Sequence, residues 1–255
     1  MIILLSEVKL ESARNYNDPT RKFWIVVYSV FVQFFTLITL YSSINLGNYL
    51  TETEVIEVLV RSTNTVLILC LPALIIILSY YSLVSDPTLN IFVVMATNRA
   101  RLFIIKILSL IVIISLITAI NLIFSFTIIS VLYFNSILFS YFAISLIYLT
   151  FVNIFYVESI SLMFLLIVRF TNNKTSTLFF PVIVYFIIPF LISSSISFNL
   201  LYPGIINFSP TIWFIKSLEH VVFSNIVTLI EIGLFCAIVA IHWISKKLFE
   251  KIEVY

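Results

Sequence analysis

Charge is what this chain has least of. Asp, Glu, Lys and Arg make up 10% of its 255 residues, against about 25% in soluble domains, so a soluble fold would lack the polar groups to cover its surface. The formal net charge of +2 is too small for a nucleic-acid footprint, and no nucleic-acid partner is expected. Only three glycines occur, Gly47, Gly204 and Gly233. They cannot form a GxxxxGK[ST] phosphate loop, so the chain is not expected to hydrolyse ATP itself. Close GxxxG helix crossings are excluded by the same shortage. The two cysteines, Cys70 and Cys236, lie inside apolar runs and indicate no disulfide framework. His220 and His242 share no HExxH, and there is no GxSxG elbow. No catalytic constellation is visible; neither an enzyme nor a metal or cofactor bound by this chain is expected.

What the chain has instead is oil. Hydrophobic residues reach 62% and the mean hydropathy is +1.17. A membrane-crossing helix needs roughly 20 mostly apolar residues and satisfies its own backbone in lipid. Six continuous runs of that kind can be read, about 23–45, 64–84, 107–133, 137–168, 176–197 and 224–245. They predict an all-α polytopic membrane protein of six transmembrane helices rather than a barrel of short alternating strands. Residues 1–22 form an N-terminal interfacial segment, 23–245 the transmembrane domain and 246–255 a tail. Met1 to Leu10 lacks the basic start and apolar core of a cleaved signal peptide.

Basic residues accumulate on cytoplasmic loops. Lys9, Arg14, Arg21 and Lys22 precede the first run, Arg99, Arg101 and Lys106 follow the second, Arg169 and Lys174 follow the fourth, and Lys246, Lys247 and Lys251 follow the sixth. Arg61 and Lys216 fall on the other side with Glu52, Glu54, Glu57 and Glu219. This alternation predicts that both termini are cytosolic. Trp24 and Trp243 would then anchor at the cytoplasmic interface.

Three segments are not simple spans. Residues 2–15 place Leu4, Leu5, Val8 and Ser12 on one helical face with Glu7, Glu11 and Arg14 elsewhere, as in a short amphipathic helix lying in the interface; a cytosolic tail is the other reading. Between the second and third runs, Asp86 can cap a helix that starts at Pro87. That helix, about 87–98, carries Leu89, Ile91, Phe92, Val93 and Met95 and stops near Asn98. A helix of about ten residues is marginal alone in water, so it either lies flat on the membrane or docks in a groove of a cytosolic partner. In the long external loop, about 198–223, Ser209-Pro210 repeats the cap-then-proline order before Thr211 to Leu218. That stretch is either a helix dipping back into the membrane or a surface loop held by aromatic anchors.

Polar residues within spans are functional candidates. Glu158 lies eleven residues before Arg169, roughly 16 Å from the cytoplasmic end at 1.5 Å per residue, and Glu231 lies in the outer half of the last run. Each carboxyl serves either transport or helix packing. Ser29, Gln33, Thr36 and Ser43 share one face of the first run, and Ser115, Thr118, Asn121 and Ser125 one face of the third. Such stripes either join helices by hydrogen bonds or line a path.

The order of these features resembles the ABC-2 type transporter permeases: an interfacial N-terminal helix, six spans, a short helix in the first cytosolic loop and a partly embedded last external loop. The local resemblance runs from Pro87 to Lys106, where the chain keeps the Thr88-Leu89 start, the basic pair Arg99 and Arg101, and the closing Lys106. Pro87 stands where the family has a small residue, and Asn98 near its usual proline. The resemblance implies that Leu89 to Asn98 is a coupling helix, with Arg99 and Arg101 beside it, fitting a separate cytosolic ABC ATPase dimer that binds ATP and Mg. It also implies a second permease protomer, as a homodimer, in a bacterial cytoplasmic membrane. Size and composition are similar to permeases of low-GC Gram-positive bacteria, which implies export of an amphipathic peptide or lipid-like substrate along a path including Ser29, Gln33 and Thr36. Two other functions fit the sequence: a proton-coupled secondary transporter using Glu158 and Glu231, and a peptide immunity or sensor protein that binds without pumping.

Overall fold

The computed structural model describes residues 2–46, 51–85, 99–133, 137–171, 174–189, 211, 214–215, 217–218 and 229–250. Every element in that set is a helix, as expected for a chain that must satisfy its backbone without water. In chain order they are α1 (Ile2–Asn17), α2 (Pro19–Leu46), α3 (Glu52–Leu83), α4 (Arg99–Leu132), α5 (Ile137–Thr171), α6 (Lys174–Val182) and α7 (Leu229–Glu250). Four of them, α2, α3, α4 and α5, are long and apolar enough to cross a membrane. The chain is a multi-pass membrane protein. The fifth expected span, 176–197, is described only to residue 189, and the sixth, 224–245, only from Leu229 onward.

Local chemistry explains the boundaries. At the α1–α2 junction Oδ1 of Asp18 accepts the backbone N–H groups of Thr20 (2.9 Å) and Arg21 (3.1 Å). Pro19 supplies the first helical position, where a missing N–H costs nothing. The N–H of Asp18 still bonds Arg14 O at 3.2 Å and that of Lys22 bonds Asp18 O at 2.9 Å, so α1 runs into α2 through a single residue. At the start of α3, Glu54 Oε2 accepts the backbone N–H and the hydroxyl of Thr51, both at 2.8 Å. In α6, Pro181 removes one ladder donor, and the helix continues as a π turn over Ile183–Ile187 that ends with Ile188 N–H on Ile183 O.

The bundle is built around α3 and α5. Helix α3 touches α2, α4, α5 and α6, and α5 touches α3, α4, α6 and α7. Two thirds of the most apolar stretch of α3 (67%) is buried inside the protein, against 22% for α2. Helix α2 is therefore a peripheral element with a broad outer face, while Leu67, Ile68, Leu71 and Ile75 of α3 meet Val152, Tyr156 and Phe164 of α5 in the core. Helical residues Phe214, Ile215 and Leu218 also pack there. The Tyr156 hydroxyl lies 2.9 Å from Thr211 Oγ1, and the rings of Phe155 and Tyr156 close on Phe214 at 5.1 and 5.4 Å.

Candidate functional site

The first cluster frames the two ends of segment 86–98. The last carbonyls of a helix have no partner within it and attract cations. At the end of α3 the carbonyl of Tyr80 takes the N–H groups of Val84 and Ser85, both at 2.9 Å. The carbonyl of Tyr81 takes Arg21 Nη2 at 3.1 Å, and that of Ser82 takes Lys106 Nζ at 3.1 Å. Arg21 and Lys106 are 5% and 1% exposed, so two cations from α2 and α4 are buried against this one helix end.

The start of α4 poses the opposite problem. Arg99 and Arg101 occupy its first turn, where the helix dipole favours anions. Helix α1 supplies the anion: Glu7 forms a bidentate pair with Arg101, its oxygens 2.8 and 2.9 Å from Nη2. One turn further along each helix Glu11 Oε1 meets Lys106 Nζ at 3.1 Å, and after another turn Asn15 donates to Ser109 Oγ at 2.9 Å. Successive turns of α1 thus meet successive turns of α4 in the same chain direction. The face of α1 that docks carries Glu7, Glu11 and Asn15, whereas Leu5 and Leu10 remain exposed.

The second arrangement is a set of polar contacts between helices. Gln33 Nε2 donates to the carbonyl and to Oδ1 of Asn121, both at 3.1 Å; Asn121 Nδ2 donates to Ser29 Oγ at 3.1 Å, and the Ser125 hydroxyl to Gln33 Oε1 at 3.3 Å. Ser29 and Gln33 of the stripe expected on the first run therefore face Asn121 and Ser125 of the one expected on the third, while Thr118 meets Asn153 of α5. Thr36 instead bonds Val32 O of its own helix at 2.9 Å. Asn64 reaches Ser145 at 2.9 Å and Asn153 reaches Thr118 at 3.4 Å, tying α3 and α4 to α5. Asn121→Leu is expected to cost about 0.6–1.7 kcal/mol, the range for interhelical hydrogen bonds in membranes. Chemical unfolding in mixed micelles measures it, and an unchanged midpoint would show that the Gln33 contacts contribute nothing.

The third is a carboxylate–imidazole pair. Glu158 on α5, 3% exposed, lies 2.7 Å from His242 Nδ1 on α7. The His242 ring packs 6.0 Å from Phe103 at the start of α4. Tyr80 and Phe164 are in ring contact at 6.3 Å beside the α3 end, which puts Glu158, six residues before Phe164, about 9 Å inside that layer.

Other expected site residues are reached only in part. Leu89, Ile91, Phe92, Val93, Met95 and Asn98 lie outside the described residues. Ser43 and Glu231 fall within α2 and α7, but their side chains lie outside the described set. Sequence reasoning missed the roles of Glu7, Glu11, Arg21, Lys106 and His242. The basic ones were legible as topology signals, and nothing in their spacing named their partners. No group of three or more His, Cys, Asp or Glu suited to a metal occurs among the described residues. No protein-family model matches the sequence, and no curated protein sequence does.

Proposed function

We propose that the chain is the membrane subunit of an ATP-driven exporter of the ABC-2 type. It crosses a bacterial cytoplasmic membrane six times, has both termini in the cytosol, pairs with a second copy of itself and takes its energy from a separate cytosolic ATPase dimer that holds ATP and Mg. Its substrate is an amphipathic or hydrophobic peptide moving outward. The observation that carries this reading is the frame around segment 86–98. The helices on either side of that segment, α3 and α4, are tied by buried or bidentate ion contacts, so a displacement of the expected coupling helix would be passed to α1, α2, α3 and α4 together. A loop lying idle on lipid has no use for such rigid mountings.

The test is co-purification with a candidate ATPase, and stimulation of its turnover, before and after Leu89→Asp or Phe92→Asp. A buried charge opposite an apolar groove is expected to cut stimulation at least tenfold (about 1.4 kcal/mol). Charged variants that bind and stimulate normally would remove the coupling assignment.

A second reading is favoured by the Glu158–His242 pair. A buried carboxylate on an imidazole between two helices is the arrangement a proton-coupled secondary transporter uses. That reading predicts uptake or efflux driven by a pH gradient without nucleotide and abolished in Glu158→Gln.

A further inference from the structure

We propose that the groove between α1, α2 and α4 holds an acyl chain of an anionic phospholipid, with the headgroup at the α1–α2 junction. This rests only on the chain being a membrane protein and is independent of the exporter reading. The groove has a volume of about 410 Å³, room for on the order of a dozen methylene groups if each takes the ~30 Å³ of a water molecule. Its floor runs along α4 from Ile113 to Asn121, some 12 Å of helix. Ile25 and Ser29 of α2 form one wall, and Ser12 and Tyr16 of α1 close one end. Leu116 and Ile120, which also line it, are 57% and 56% exposed, so the groove opens sideways onto the bundle's outer face rather than into its core.

Charge at the closed end selects the occupant. The Lys22 ammonium sits over the Tyr16 ring, 5.5 Å from its centroid. Two carboxylates nearby are paired with other cations, Glu7 with Arg101 and Glu11 with Lys106, while Asp18 accepts the N–H groups of Thr20 and Arg21 through Oδ1. Among the described residues no carboxylate neutralises Lys22. An apolar trough open to the outer face, ending at a tyrosine and an exposed lysine, matches a lipid whose tail is oil and whose headgroup carries a net negative charge. An amphipathic peptide helix, at about 10–12 Å across with its side chains, is too wide for a trough of this volume. The wall residues Ser29 and Asn121 already bond each other, so the lysine, not the walls, distinguishes one headgroup from another.

Native mass spectrometry of the purified full-length protein, titrated with phosphatidylglycerol or phosphatidylcholine of matched chains, tests this. Phosphatidylglycerol is expected to bind roughly fivefold more tightly, the contribution of one lysine near a membrane surface, and Lys22→Gln to erase that preference while both lipids still bind. Leu116→Trp and Ile120→Trp fill the trough from its exposed edge, where they do not disturb the core; each is expected to weaken both lipids at least tenfold. Val131→Trp, on an exposed part of α4 outside the groove, leaves binding unchanged. The proposal is overturned if the groove-filling variants bind lipid like the parent protein, or if Lys22→Gln keeps the full preference. It is equally overturned if Leu116→Trp abolishes a dimer peak instead of a lipid adduct, because the groove then belongs to a second copy of the chain.

Discussion

Lys106→Ala is expected to lower the unfolding free energy by about 3 kcal/mol, the lower end of the cost of breaking a buried ion pair. The side chain is 1% exposed, and its Nζ lies 3.1 Å from both Glu11 Oε1 and the Ser82 carbonyl. Truncation leaves a carboxylate that is 15% exposed and a helix-terminal carbonyl with the donor gone. Glu11 keeps Arg14 at 3.5 Å, which is why the lower end of the range applies. Lys106→Met separates charge from packing, since it retains most of the buried stem; it is expected to cost nearly as much as Ala if charge dominates. Adding Glu11→Gln to Lys106→Met removes the orphaned anion and is expected to recover more than half of the loss, because neutral replacements of whole buried pairs are often well tolerated. Denaturant unfolding in mixed micelles gives all three numbers. A double variant no better than Lys106→Met alone would show that the orphaned Glu11 carboxylate does not set the loss.

That ion pair marks the border between what the sequence discloses and what it hides. Long apolar runs are readable because lipid permits little else than helix, and the expected fourth run, 137–168, matches α5 at Ile137–Thr171 closely. The second run, expected at 64–84, covers the later part of α3, which begins at Glu52 and ends at Leu83. Glu52, Glu54, Glu57 and Arg61 suggested a loop, yet Val55, Ile56, Leu59, Val60 and Thr63 are buried at helical spacing. Hydropathy finds the part of a helix that lies in oil and misses the amphipathic turns beyond it.

The α1 face shows the same limit more sharply. Ranking residues by polarity assigns Glu7 and Glu11 to the outside, but they point at Arg101 and Lys106, 94 and 95 residues away in sequence. A charge turns inward only when another helix brings its counterion, and one-dimensional periodicity carries no such information. The stripes were more legible, because Ser29 with Gln33 and Asn121 with Ser125 each define a face that needs a polar partner, and here they serve one another. Thr36 had the right spacing, but a threonine can return its hydroxyl to its own helix, as this one does to Val32.

The Glu158–His242 pair lets burial decide which partner matters more. Its two halves are unequal: the Glu158 side chain is 4% exposed and the His242 side chain 36%. Removing the imidazole in His242→Ala strips a buried carboxylate of its described donor, a loss expected to cost about 2–3 kcal/mol. Glu158→Gln keeps an oxygen at the same place to accept from Nδ1–H, while the half-exposed ring does not depend on one partner; the expected cost is below about 1 kcal/mol. The double variant is expected to fall nearer Glu158→Gln than His242→Ala, since an unpaired amide is cheaper to bury than an unpaired carboxylate. Unfolding midpoints of the three variants against the parent protein close a double-mutant cycle. Equal losses from the two single changes would mean that the link between α5 and α7, not the desolvation of one carboxylate, sets the energy. Transport then separates the two functional readings independently of stability: a folded Glu158→Gln protein that still exports on ATP leaves the pair a structural tie, whereas one that is stable and transports nothing puts the carboxyl on the proton's route.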